Sequence, residues 1–289
     1  MRSDDSQTSR DGATQLRRRR PTSDAQVERW IARGFGQGIG ITYKPWFKVR
    51  DVPSRGRAKR VRGIVVPRIH HLLSGGEYNH FLFAEFQPDV IDIREHIALL
   101  PRSETLEIAQ ALGIRHPIYP TTKIPVVMRS DLALTKTTSN GSRELVLCII
   151  PASNLTPGTR GLRRTVEKLK IERAYWERRC VVWRLATEHE LDPTLIANLD
   201  RLRMWVAALE VPDNPLLVER VVKLIALKEY CGGSVRQTIE YLAGGLSESF
   251  EVAYTHLARA IWSHRLPIDL SRPFEMDSPL YWHSSTLVT

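Results

Sequence analysis

Between Leu72 and Pro151 the chain sets out acidic side chains in an order that suits phosphate chemistry. Leu72-Leu73-Ser74-Gly75-Gly76-Glu77 places a carboxylate at the start of an amphipathic segment. Farther on come Phe86-Gln87-Pro88-Asp89-Val90-Ile91-Asp92-Ile93-Arg94-Glu95 and Val126-Val127-Met128-Arg129-Ser130-Asp131, and an apolar run from Leu145 to Ile150 closes the stretch before Pro151. The pattern is a Glu on a helix, an Asp at the end of a short strand, and a second strand a little farther on. Carboxylates brought together from separate elements can hold a divalent cation, which polarises a phosphate and activates a water. The second strand is chemically bare: it reads Cys148-Ile149-Ile150, and from Leu145 to Thr159 there is no Lys, Arg, Asp, Glu or Gln.

The whole chain bounds what such a site could serve. Its 289 residues, 42% of them hydrophobic, leave room for two compact domains. A formal charge of +10 points to a polyanionic partner, with nucleic acid the first candidate. No strongly amphipathic basic helix argues for a membrane surface. No segment approaches the roughly 18 uninterrupted apolar residues of a membrane span. The polar, charged start has no apolar stretch of the kind a secretory signal needs. Cys148, Cys180 and Cys231 lie far apart without C-x-x-C spacing, so neither a structural zinc nor a disulfide framework is supported, and a reducing cytosol fits.

The elements that would position the acids can be read in order. Residues 1–23 are poor in apolar side chains and contain Arg17-Arg18-Arg19-Arg20; they read as a disordered basic arm. A helix follows, with Asp24 as its cap, and then Gly36-Gln37-Gly38-Ile39-Gly40. That glycine run follows a helix rather than a strand, so it reads as a tight loop where backbone approaches something closely, not as a dinucleotide fingerprint. From Lys44 to Arg68 there are nine Lys or Arg and one acid, Asp51, with Trp46, Phe47, Val49 and Val52 interleaved. One-sided charge on two strand-like runs around Pro53-Ser54-Arg55-Gly56-Arg57 suits a ribbon lying along a DNA backbone. The candidate contacts are Lys44, Trp46, Lys48, Arg55, Arg57, Lys59, Arg60 and Arg62. His70 and His71 are adjacent and point to different faces, which favours structural or phosphate-facing roles over joint metal ligation.

Beyond Glu77 the periodicity predicts a helix stopped at Pro88, a strand over Val90–Ile93, a helix over Thr105–Leu112, and strands over Val126–Leu134 and Glu144–Ile150 joined through Ser139-Asn140-Gly141-Ser142. Leu162, Val166, Leu169 and Trp176 make the core stripe of a charged helix, and a strand over Cys180–Leu185 follows. This order gives an α/β fold, a mixed sheet flanked by helices, over residues 24–191. After Asp192-Pro193 the composition becomes helical, with segments 193–209, 215–230, 235–242 and 248–263, and Pro267-Ile268-Asp269-Leu270 reads as a strand. Residues 192–289 thus read as a winged-helix-like module that docks partners.

These segments carry a resemblance. Gly36-Gln37-Gly38, Tyr43-Lys44-Pro45-Trp46, His70-His71-Leu72-Leu73-Ser74 leading to Glu77, Asp92-Ile93-Arg94-Glu95, Leu99-Leu100-Pro101, His116-Pro117, Val127 to Asp131, and Glu172-Arg173-Ala174-Tyr175-Trp176 keep the order and spacing of the TnsA family. TnsA is the endonuclease subunit of heteromeric bacterial transposons. The resemblance covers roughly residues 25–190 and weakens in the C-terminal hundred. It implies a restriction-endonuclease-like N-terminal domain followed by a winged-helix C-terminal domain in a bacterial cytoplasmic protein. It implies divalent-metal-dependent (Mg2+ or Mn2+) nicking of the 5′ strands at double-stranded transposon ends. The implied partners are a TnsB-like transposase and a TnsC-like AAA+ ATPase. By position it makes Glu77 and Asp131 the metal-binding carboxylates. The family's remaining polar residue and lysine fall on Cys148 and Ile150, and Ile150 can neither position water nor offset phosphate charge. Lys168 or Lys170 on the following helix are the substitutes within reach of the sequence. Without one, the same fold serves as a catalytically impaired architectural subunit that binds DNA and partners.

Overall fold

A computed structural model describes residues 21–52, 57–227 and 233–283. The basic arm up to residue 20, Arg55 and Cys231 therefore lie outside the described residues.

Helix α1 (Asp24–Ala32) is capped by Ser23, not by Asp24: the Ser23 hydroxyl accepts the Gln26 N–H, and Asp24 instead sits in the first turn, where a negative charge favours the helix dipole. The glycine loop that follows is a close approach. A Cβ on Gly36 would stand 2.6 Å from Ala98 Cβ, and Gly36 has φ 73°, so glycine is required there on both counts.

The basic segment folds differently from the expected ribbon. Val49–Asp51 is a single 3-10 turn. The ribbon is formed by β1 (Lys59–Arg62) and β2 (Ile69–Leu72), antiparallel, with Lys59 opposite Leu72. Alternation along β1 turns Lys59 and Val61 inward and Arg60 and Arg62 outward. Trp46 is fully buried, its ring edge-on to Trp30 and packed with Val27 and Phe47. It cannot lie on DNA: the aromatic punctuation that reads from sequence as a nucleic-acid surface is the apolar core of this subdomain.

Helix α2 (Gly75–Phe86) starts where the sequence places it. Ser74 accepts the Glu77 N–H at 3.0 Å, and the helix ends at Gln87, before Pro88. Strands β3 (Val90–Ala98), β4 (Arg129–Thr138), β5 (Gly141–Ile149) and β6 (Val182–Ala186) form one sheet in the order β3-β4-β5-β6. The first two pairings are antiparallel and β5–β6 is parallel. Strands β4 and β5 run closer to their turn than expected, leaving Ser139-Asn140 as the link, with Gly141 at φ 120°. Helices α3 (Arg102–Ala111) and α4 (Leu162–Glu177) pack Ile108, Ile171, Tyr175 and Trp176 on one face of the sheet, and α2 covers the other. The expected mixed sheet flanked by helices is present.

The remainder is helical: α5 (Pro193–Val206), α6 (Pro215–Ala226), α7 (Val235–Leu246) and α8 (Phe250–Trp262). Among the described residues the expected strand after α8 is reduced to a single bridge, Ile268 with Trp282. A winged helix needs a longer hairpin there. The helices do not form a separate body. One continuous core runs from Phe81, Leu82 and Ile93 into Leu199, Leu202 and Tyr254. Tyr78 donates to Asp200, and Arg203 pairs with Glu85 at 2.7 Å, so α5 is tied to α2 by polar as well as apolar contacts. No helix of the described residues is long and apolar enough to cross a membrane.

Candidate active site

The site forms where β3 and β4 change phase together. Along β3, Ile93 joins the core under α2 and Glu95 reaches β2, yet Ile97 packs with α3 and α4. A strand with strict alternation would keep all three on one face. The change occurs at His96, which has φ 53°, a left-handed conformation that costs a non-glycine residue about 1 kcal/mol or more. Opposite it, Leu132 and Leu134 face α2 and Ala133 faces α4, while Ser130 bonds Glu172 of α4. Asp131, beside Leu132, therefore also points toward the start of α2. The phase change brings a His from β3 and an Asp from β4 to the helix end that carries Glu77.

The three side chains meet: one ligand atom from each of Glu77, His96 and Asp131 lies within 4.8 Å of the others. Each is held by the backbone. Glu77 Oε2 accepts the Leu73 N–H at 2.7 Å, and Asp131 Oδ2 accepts the Ile149 N–H at 2.7 Å. His96 Nε2 stands 2.7 Å from the His71 carbonyl and its Nδ1 stands 2.8 Å from the Arg129 guanidinium. Because a guanidinium only donates, Nδ1 is the acceptor and Nε2 carries the proton. Burial, reinforced by Arg129, keeps this imidazole neutral, with its pKa well below the ordinary histidine value.

The carboxylates carry the electrostatic signature of a cation site. Burial and the neighbouring Asp131 raise the Glu77 pKa above the usual carboxylate range, against the pull of Arg129. Arg129 closes the group, donating to Asp131 Oδ1 at 2.6 Å. Behind Asp131, Glu172 is buried, accepts from Ser130 at 2.7 Å and Trp183 at 3.1 Å, and is pushed up to about 7 by burial and by Asp131. Cys148 is buried against Glu172, and that burial raises its thiol far above the ordinary range, so it stays protonated.

A cleft opens onto these groups, lined among others by Phe47, Arg129, Asp131, Ile150 and Lys168. The donor set suits a hard divalent cation through the oxygens of Glu77 and Asp131, whereas both His96 nitrogens already have partners. Ile150 lines the cleft as an apolar wall. Of the two lysines on α4, Lys168 lines the cleft and Lys170 is not among its lining residues.

The proposed phosphate-facing set is divided. Arg57, Arg60 and Arg62 are exposed. Lys44 is exposed and donates to the Arg33 carbonyl. Lys48 is half-buried, 5.7 Å from the Phe35 ring centre. Lys59 is half-buried over the Tyr78 ring, 3.9 Å from Asp200. His70 is structural, buried against Glu95 at 3.0 Å. Burial alone would raise the Glu95 pKa, but hydrogen bonds from His70 and Arg68 hold it well below the usual range.

Sequence reading missed Arg129 and His96. A signal existed for Arg129, since residues two apart on a strand share a face and Asp131 was already a candidate. None existed for His96, whose orientation depends on its unusual backbone.

Residues 87–188 match the family described as TnsA-like endonuclease N terminal. Asp131, Cys148 and Ile150 fall inside that match and Glu77 precedes it. The chain is also similar to the Transposon Tn7 transposition protein TnsA of Escherichia coli, 37% identical over 180 residues. That alignment spans 62% of this chain and 63% of the relative.

Proposed function

We propose, on the match of residues 87–188 to the TnsA-like endonuclease N-terminal family and the similarity to TnsA, that this chain is the divalent-metal-dependent subunit that nicks the 5′ strands at transposon ends. It would act on double-stranded DNA together with a TnsB-like transposase and a TnsC-like AAA+ ATPase. The observation that carries this reading is the convergence of Glu77 and Asp131, each fixed by a backbone N–H, beside a cleft that Asp131 lines.

A bound Mg2+ or Mn2+ would supply Lewis-acid polarisation of the scissile phosphate and a water of lowered pKa. The protein's own residues prepare for this. Glu77 and Asp131 present oxygens from a helix start and a strand, so neither needs to reorganise on binding. The Ile149 N–H and Arg129 each hold one oxygen of Asp131 and so fix the orientation of the carboxylate. His96, neutral, orients Arg129. The exposed Arg57, Arg60 and Arg62 would hold the duplex by its phosphates. The exposed Met204, Leu209 and Leu216, on α5, on the link after it and on α6, would serve partner contacts.

The second reading, an architectural subunit that binds ends without cutting, is favoured by one observation: the cleft wall made by Cys148 and Ile149 at the end of β5 and by Ile150 after it carries no cation. A plasmid bearing both transposon ends, incubated with the full chain, its transposase and Mg2+, separates the two. Under the nuclease reading, 5′-strand nicks accumulate, need the divalent ion, and vanish with Asp131→Ala. End binding without nicks, with cointegrate-like joined products, supports the architectural subunit instead.

A further inference from the structure

A nuclease site built on two acids still needs positive charge against the phosphate, and the residues of β5 that line the cleft, Cys148 and Ile149, provide none. We propose that Arg129 supplies that charge from the neighbouring strand, donating hydrogen bonds to the scissile phosphate in the place where Ile150 cannot. The inference rests on the nuclease reading above.

The geometry singles out this side chain. Arg129 stands two residues before Asp131 on β4, on the same face. One nitrogen of its guanidinium donates to both Asp131 Oδ1 at 2.6 Å and His96 Nδ1 at 2.8 Å. The group lies 5.9 Å from the centre of the Phe47 ring, within cation–π range. Its side chain is 25% exposed, so part of it opens to the cleft that Asp131 and Ile150 line. It is thus held from three sides and reachable from a fourth. Lys168 lines the same cleft, but its side chain is exposed on α4, so its reach would have to be ordered on binding. A preorganised donor is worth more in a transition state than one ordered on demand. A planar guanidinium also matches two phosphate oxygens at once, which an ammonium does not.

The chemical step balances without any change in Arg129. The water oxygen forms a bond to phosphorus and the P–O ester bond breaks. The departing oxygen takes a proton from solvent water, and the attacking water releases one to solvent. Arg129 stays protonated throughout and answers the charge that builds on the non-bridging oxygens. A second consequence concerns the ion: the guanidinium already neutralises Asp131, so an arriving divalent cation meets a resident positive charge.

The test uses the full chain with its transposase on end-bearing plasmid, and Mn2+ titrated calorimetrically into the full chain alone. Arg129→Gln should slow nicking by about a hundred- to a thousand-fold, the usual cost of one such electrostatic donor. The same variant should bind Mn2+ roughly ten-fold more tightly, because a like charge beside the site is gone. Adding Ile150→Lys to Arg129→Gln should restore much of the rate. Arg129→Lys keeps the charge and should retain more activity than Arg129→Gln, which separates loss of charge from loss of fold. Wild-type nicking by Arg129→Gln, or unchanged Mn2+ affinity, overturns the proposal while leaving the nuclease reading intact. If the unchanged chain makes no nicks, the nuclease reading fails and the catalytic role falls with it; tighter Mn2+ binding by Arg129→Gln would then support only the resident-cation part.

Discussion

Arg203→Met should destabilise the fold and loosen the basic ribbon together, because one buried ion pair ties them. Glu85 is fully buried and Arg203 is 10% exposed at the side chain, and they meet at 2.7 Å. The other Glu85 oxygen accepts the Ile64 N–H at 2.5 Å, and Arg203 also donates to the Arg62 carbonyl. The pair therefore joins α2, α5 and the end of β1. Taking away the guanidinium strands a carboxylate where water does not reach, which costs about 3–5 kcal/mol. Methionine keeps much of the volume, so little of that cost is a cavity. Urea denaturation of the full chain measures it. A double variant, Arg203→Met with Glu85→Gln, removes the stranded charge yet keeps an acceptor for Ile64, and should recover at least half of the loss. The coupling between the two sites is the difference that a double-mutant cycle reads. A loss below about 1 kcal/mol for Arg203→Met, typical of an exposed pair, would refute the reasoning. So would a double variant no more stable than the single one.

Replacing Arg57, Arg60 and Arg62 by Gln should weaken duplex binding at every sequence and lower the slope of log affinity against log salt by up to about 3, near one per lost phosphate contact. An unchanged slope in a polarisation titration would remove this ribbon from the DNA interface. Glu172 titrates near 7 in the fold against an ordinary 4.5, so its folded pKa is raised. Its contribution to stability is fully present below about pH 4.5 and is lost as pH rises through about 7. Glu172→Gln should therefore flatten the decline in melting temperature between pH 5 and 8, removing a penalty of at most about 3 kcal/mol at the alkaline end. Parallel melting curves for the two proteins across that range would show that Glu172 is not the titrating group.

Much of this protein is written locally. The Ser74 cap, the apolar face after Glu77 and the stop before Pro88 specify α2 from neighbours in sequence, so its helical start and the carboxylate on it were legible. Strands β4 and β5 follow from alternation and a turn at Ser139-Asn140, and the stripe from Leu169 to Trp176 gives the buried side of α4. The order and spacing of these segments were enough to show the resemblance to the TnsA family. The basic segment shows where local reading stops. Trp46 and Phe47 sit among cations, but whether such an aromatic faces DNA or a core depends on α1 and β3 folding over it, and they do. The centre of the site was decided by tertiary structure for the same reason. A period of two assumes a regular strand, and the left-handed His96 breaks that period on β3 in step with Asp131 on β4. Only that non-local pairing brings His96, Arg129 and Asp131 to the start of α2. Sequence supplied the acids; the cation beside them is set by a backbone torsion that its own residue type does not favour and that the surrounding packing holds in place.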